Sequence, residues 1–397
     1  MRTTRRSRVV TAALIGPLAA FLVLTFVCPL GLMLWRSVSD LDVRSALPRT
    51  VALLSAWNPA DPVPDAAYVA LAADLAVAPG DAAARAAGRL NIETPGLRTL
   101  LLSAANDTAI VRADDPKRAL LDHDARWGMS QIWLAIRAAR GPLTARFLLT
   151  AFDFEQKPDG TIVSRASDRA IYRAIYLRTF SVAAAVTAVC LVLGLPLALY
   201  LASLRAAAAR RLLLLIMLPL WTSVLVRAMA WILILDQNGL VNAALTASGL
   251  VSHPLALVFN RFGVVVTMTH VLLPFMVLPI YNSLRNVPRH QLWAAGSLGA
   301  SPLVVLLRIY LPQCRAGIAA GLILVLASGA GYYITPALVG GGTDEMLGSF
   351  VQQAAIRTNN PGLAAGLGVV FLLIFAIVLA AVGAIVRPRP FAAPASV

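Results

Sequence analysis

The chain has 397 residues, 59% of them hydrophobic and only 13% charged, a composition that excludes an ordinary soluble protein. Thirty-four basic against nineteen acidic residues give a net charge of +15, which in a soluble chain would point to nucleic acid. Between Ser37 and Ala170, however, 15 basic residues face 16 acidic ones, so the excess belongs to the apolar remainder and no nucleic-acid partner is expected.

In chain order, six runs approach the roughly 20 apolar residues that a bilayer core requires. They are Ala12 to Trp35, Phe180 to Leu204, Leu212 to Leu235, Phe262 to Leu284, Ala316 to Ile334 and Leu363 to Val386. These predict an all-α membrane protein with six transmembrane helices. The first run is too long for a signal peptide's apolar region and reads as an uncleaved anchor. Pro254 to Phe259 is too short to span and reads as interfacial or re-entrant. Cys28, Cys190 and Cys314 lie in or beside apolar runs and imply no disulfide framework.

Arginines near span ends set the orientation, because positive loops resist translocation. Arg2, Arg5, Arg6, Arg8, Arg205, Arg210, Arg211, Arg285, Arg289, Arg308, Arg315, Arg387 and Arg389 fall on one side, against Arg261 and Arg357 in the short loops of the other. Both termini are therefore expected in the cytoplasm, and the insert after the first span outside it. The expected layout is 1–36 for the cytoplasmic N-terminus and first helix, 37–175 for a mostly helical extracytoplasmic insert, 176–387 for a five-helix core and 388–397 for a cytoplasmic tail. Within the insert, Pro64 opens an Ala-rich helix through Val77, Pro79-Gly80 breaks it, and apolar periodicity resumes from Trp127 to Phe154. No chemistry is assigned to it.

Lys117 and Lys157 are the only lysines and neither follows a glycine, so the chain holds no G-x-x-x-x-G-K-[ST] nucleotide loop. Arg227, inside the third run, either snorkels toward the end marked by Asp236, forms a structural pair, or lines a hydrated path. His270 has no ligand-type neighbour at metal spacing and is expected as a packed neutral imidazole; no metal site is indicated. After the fourth span, Asn286 to Tyr310 has a Pro288 helix-start signal and small residues at Ala294, Ala295, Gly299 and Ala300. Small residues permit close approach to a partner, and Gly299 permits a sharp bend.

That loop, at about 285–312, resembles the EAA loop of the permeases of binding-protein-dependent ABC importers, in Trp293-Ala294-Ala295, Gly299 six positions after the tryptophan, Ile309, and Leu311-Pro312. Three further stretches, Leu218 to Asn242, Asn260 to Pro288 and Gly331 to Gln353, resemble the spermidine/putrescine branch of that family. Two features depart from the pattern: Trp293 stands where the family has glutamate, and the insert is much longer than in compact members.

The resemblance implies the type I importer permease fold and a cell inner (plasma) membrane location. It further implies a second permease subunit, two ATP-binding subunits and an extracytoplasmic solute-binding protein. On this reading the chain is not an enzyme and binds no cofactor, ATP being used by the partner ATPase. Trp293, Ala294, Ala295, Gly299, Ala300, Ile309, Leu311 and Pro312 would form the coupling loop to that ATPase. For a polyamine cargo the candidate path residues are Trp221, Arg227, Trp231, Asp236, Tyr332, Tyr333, Asp344 and Glu345, since cations are met by carboxylates and aromatic faces. Asp344 and Glu345 follow Gly340-Gly341-Gly342, and a solvated turn or a docking contact competes with a gate there.

Ferric ion, phosphonate, opine or another small organic solute remains the alternative cargo. An ion-driven secondary transporter is a different class, for which midplane ionisable residues and internal repeats would be expected; the sequence shows neither. A membrane-anchored sensor would need a cytoplasmic output domain, and the longest inner loop is too short to fold alone.

Overall fold

The computed structural model describes residues 14–139, 141–156 and 161–386. The expectations placed on Arg2, Arg5, Arg6, Arg8, Lys157, Arg387 and Arg389 lie outside the described residues. The chain divides into two compact units, one of residues 1–172 and 351–371 and one of residues 173–350 and 372–397.

The first unit begins with helix α1 (Leu14–Val38), whose apolar side chains, such as Leu14, Leu18 and Leu24, are exposed along its length. Nine short helices follow: α2 (Asp42–Ala46), α3 (Pro48–Ala56), α4 (Asp65–Val77), α5 (Gly80–Glu93), α6 (Leu97–Asn106), α7 (Thr108–Val111), α8 (Pro116–His123), α9 (Ser130–Ala138) and α10 (Arg146–Ala151). Pro64 and Pro79 sit at the N-cap positions of α4 and α5, and Ala78, extended before Pro79, ends α4 because proline disfavours helix in the residue before it. The helices enclose a core in which Tyr68 meets the Trp133 ring edge-on at 4.6 Å and Trp127 lies 5.9 Å from Trp133. One carbonyl satisfies two of these polar edges: Trp127 O accepts from Trp133 Nε1 at 2.8 Å and from the Tyr68 hydroxyl at 3.2 Å.

Two buried carboxylates tie this unit together. Asp74 accepts from the Thr50 N–H and hydroxyl, both at 2.8 Å, and so satisfies donors that the first turn of α3 leaves open. Asp40 accepts from Arg89 Nε at 2.6 Å, with both side chains almost fully buried. Arg146, half-buried near Arg89, has its pKa lowered to about 10, by desolvation first and repulsion from Arg89 second. A hairpin that the sequence reading did not anticipate pairs β1 (Phe154–Gln156) antiparallel with β2 (Ile162–Ser164).

The second unit carries most of the long apolar helices: α11 (Tyr172–Ser203), α12 (Ala206–Trp221), α13 (Val224–Leu235), α14 (Leu240–Ala247), α15 (Arg261–Arg285), α16 (Arg289–Ser297), α17 (Pro302–Ala330), α18 (Ile334–Val339) and α19 (Leu347–Gln352). The last long helix, α20 (Pro361–Val386), contributes to both units. Six candidate spans are present among the described residues, as expected from the apolar runs. Their bounds differ: the second starts at Tyr172 where the run begins at Phe180, the fifth starts at Pro302 where the run begins at Ala316, and the third is displaced. The run Leu212 to Leu235 is not one helix: α12 ends at Trp221 and α13 starts at Val224, with Thr222 and Ser223 extended between them. The third candidate span is instead Val224–Ala247.

α15 and α17 approach closely because Gly317 and Gly321 present no side chain. A methyl at Gly321 would lie 2.8 Å from the Met276 sulfur, and one at Gly317 would overlap Ser283. Met276, Val277 and Ile280 on α15 and Val186 and Cys190 on α11 belong to the same buried cluster.

Candidate functional site

The loop after α15 is built as a corner. α16 carries Trp293, Ala294 and Ala295; Gly299 then adopts φ +81°, the left-handed region that favours glycine. Ala300 N–H donates to Ala295 O at 3.1 Å and Gly299 N–H to Gly296 O at 3.0 Å. This pair of bonds is a Schellman motif, and it closes the carbonyl end of α16. Ser301 then caps the next helix, its hydroxyl accepting from Val304 N–H at 3.5 Å, with Pro302 in the first turn. Ile309 lies in a single π turn, and Leu311-Pro312 continues into the long apolar part of α17. Gln313 donates to Gln291 at 2.7 Å, which ties α16 to α17.

The corner exposes apolar surface: Trp293 is 68% accessible and Leu298 89%. Ala300 lines a groove with Leu292, Gly296 and Tyr310. A short, rigidly terminated helix with a bare tryptophan is suited to being gripped from outside.

The path candidates separate into groups. Arg227 is buried, and its guanidinium donates to the Pro219 carbonyl across the break between α12 and α13. The side chain reaches back to a carbonyl at the end of α12, which has no i+4 partner, and not forward to Asp236. One turn further on α13, Trp231 Nε1 donates to His270 Nδ1 on α15 at 3.2 Å, with ring centroids 5.5 Å apart. His270 was expected to be packed; it is exposed on the helix, its Nδ1 held by the indole. Trp221 is 69% accessible.

Asp236 organises the turn after α13, accepting Asn238 N–H at 3.0 Å. Asn242, absent from the sequence-derived candidates, is the buried centre of this region. It donates to Asp236 O and Leu255 O, both at 2.9 Å, and accepts Leu255 N–H at 2.8 Å. The stretch Pro254 to Phe259 is thereby held as an ordered loop. An asparagine within an apolar run is the signal that could have found it.

Asp344 is buried and accepts from Arg261 Nε and from Gly341 N–H, both at 3.3 Å. It therefore fastens the Gly340-Gly341-Gly342 turn to the start of α15. Glu345 beside it is half-buried, Tyr333 packs its Cβ against Gly348, and Tyr332 is half-buried at the end of α17. Asp344 and Glu345 are adjacent, with Arg178 near both, and Trp231 and His270 form a separate pair.

In the first unit, His123 lies 3.0 Å from Asp107 and 3.1 Å from Ser103, the order of a hydrolytic triad. Ser103 sits within α6 and its hydroxyl donates to Leu100 O at 3.0 Å. Helical N–H groups around it are committed to i−4 carbonyls, so the oxyanion donors that acyl transfer needs are not supplied. The cluster joins α6 to α8.

Residues 194–389 match the model of the family described as binding-protein-dependent transport system inner membrane component. The spermidine/putrescine transport system permease protein PotB of Escherichia coli is 30% identical over 209 residues, covering 53% of this chain and 76% of the relative. The molybdenum transport system permease protein ModB of Mycobacterium bovis is 29% identical over 209 residues, covering 52% and 77%. The crystal structure of a bacterial ABC transporter that imports the acidic polysaccharide alginate aligns with a TM-score of 0.47 at 15% identity, over 55% of this chain and 80% of that one.

Proposed function

This chain belongs to the family of binding-protein-dependent transport system inner membrane components, and on that premise we propose that it forms the solute path of an ATP-driven polyamine importer. The observation that carries the cargo is the 30% identity to the spermidine/putrescine permease across three quarters of that relative's length.

On this reading the Arg-rich ends and both termini face the cytoplasm, and the insert lies outside. Two ATP-binding subunits grip the α16 corner through Trp293, Leu298 and the groove at Ala300. Closure of the ATP-bound pair rotates α16 as a rigid lever and favours the outward-open state; hydrolysis and product release return it. A second permease subunit completes the path, and an extracytoplasmic binding protein delivers the solute. Trp221, Trp231, Tyr332, Tyr333 and Glu345 are the proposed path residues. Arg227, Asp236 and Asp344 hold the helices that present them.

A second reading keeps the machinery and changes the cargo. It is favoured by the small supply of carboxylates after Ala170, namely Asp236, Asp344 and Glu345, of which two are engaged in turns. It is also favoured by the comparable match to a molybdenum permease. Reconstitution of this chain with its ATPase, second permease and binding protein in proteoliposomes tests both. ATP-dependent uptake of labelled spermidine is expected. Calorimetry that shows the binding protein taking an anion and not spermidine would replace the cargo; uptake by this chain alone under an ion gradient would remove the ATP-driven class.

A further inference from the structure

A cavity of about 480 Å³ opens between the start of α12 and the end of α15, lined by Ala206, Ala207, Arg210, Tyr281, Asn282 and Arg285 among others. Arg285 reaches over the Tyr281 ring and lies 3.4 Å from its hydroxyl, so one guanidinium is held at the cavity wall. Ala206 and Ala207 are the first two residues of a 16-residue helix, where N–H groups have no intrahelical acceptor and point outward. Two guanidinium groups, a helix start, a phenol and an amide therefore converge on one space.

The charge there is not neutralised from within. Among the described residues, no ion pair joins Arg210 or Arg285 to a carboxylate. After Ala170 the chain holds only Asp236, Asp344 and Glu345. Asp344 pairs with Arg261 at the opposite end of α15, about 36 Å from Arg285 by helix rise. Asp236 is turned to its own loop. Arg205 and Arg211 add to the same uncompensated end.

We propose that this cavity holds the phosphate of an anionic phospholipid headgroup. The shared chemistry is a phosphate oxyanion between two arginines and a helix start. A lipid-borne phosphate is preferred over a free one because the cavity stands at the end of candidate span α15. Exposed Leu214 and Leu215, 50% and 60% accessible, continue from Arg210 along α12, which provides a surface for acyl chains. Basic residues at such a boundary draw anionic lipid. The inference is independent of the transported solute.

The test is native mass spectrometry of the full chain in detergent with added phosphatidylglycerol or phosphatidylcholine. Preferential retention of phosphatidylglycerol is expected. Arg210→Gln with Arg285→Gln lowers its apparent affinity roughly 30-fold, as two boundary arginines contribute. Arg308→Gln, outside the cavity, leaves it unchanged. Arg210→Lys with Arg285→Lys preserves the preference, which separates lost charge from misfolding. Equal retention of the two lipids, or unchanged retention in the double Gln variant, overturns the site. Displacement of bound lipid by millimolar inorganic phosphate overturns the lipid-borne occupant.

Discussion

Arg227 on α13 donates its guanidinium to the carbonyl oxygen of Pro219 on α12, and this bond spans the two-residue break between the helices. The Thr222 hydroxyl donates to the same oxygen at 3.0 Å. A carbonyl in the last turn of a helix inside an apolar layer has no water to turn to, so its donor must come from a side chain. The arginine is a fastener of the break.

Arg227→Met is therefore expected to reduce the amount of folded chain recovered from membranes, while the KM for solute in the surviving transporter stays near wild type. Loss of a charged hydrogen bond to a buried carbonyl is worth about 1.5–3 kcal/mol. Uptake kinetics normalised to the amount of chain in the membrane separate this from a path role, which would raise KM at unchanged abundance.

Gly299 gives a graded series. A Cβ at this position meets nothing within 4 Å, so any penalty comes from the backbone at φ +81°. Asn tolerates that region, Ala costs about 1–2 kcal/mol, and a β-branched residue costs more. Transport by the assembled complex is expected to fall in the order Asn, Ala, Val, with ATP hydrolysis falling less than transport. Parallel measurement of both rates checks it; equal losses in the two would count against α16 as the lever.

The membrane segments are legible in the sequence because a 20-residue apolar requirement is a strong filter, and the corner at Gly299 is legible because few residues besides glycine accept its backbone. The break at Thr222 and Ser223 is not, since Pro219 and two hydroxyl residues dent the apolar run too little to divide it by hydropathy. The engagement of Asp344 is equally invisible: its partner Arg261 is 83 positions away, and only the fold decides whether a carboxylate beside three glycines is a free charge or a clasp. The short hairpin of β1 and β2 has three residues per strand, too few for alternation to register.

In the insert, Arg89→Ala strands Asp40 in the interior, and removal of one partner of a buried ion pair costs about 3–5 kcal/mol. Limited proteolysis of the full chain should then cut within 42–139 at much lower protease concentration. An Asp40→Asn, Arg89→Met double variant, which removes both charges, should recover much of the resistance.

Asp124 sets a pH dependence in the same insert. Its carboxyl is held down at about 2, from an ordinary value of 3.8, first by the Arg126 side chain and then by the Arg126 N–H. Because the folded value is the lower one, its stabilisation is present above about pH 4 and lost as pH falls toward 2. The pair is solvent-exposed and screened, so the effect is small. Thermal melts of wild type and Asp124→Asn are expected to differ at pH 5 and to converge as the pH is lowered toward about 2.

Asp344 and Glu345 are neighbours with opposite expected responses. Asp344→Asn weakens the pair with Arg261, so a lower melting temperature is expected with little change in KM. Glu345 is half-buried beside that clasp, with Arg178 close enough to interact with it electrostatically; the proposed path role requires its charge to meet a passing cation. Glu345→Gln should raise the KM for spermidine several-fold at unchanged melting temperature, a cost of about 1 kcal/mol or more for one carboxylate–cation contact. Uptake titrations paired with thermal melts of both variants distinguish the two residues. An unchanged KM in Glu345→Gln would take this carboxylate out of the solute path and assign the turn to docking.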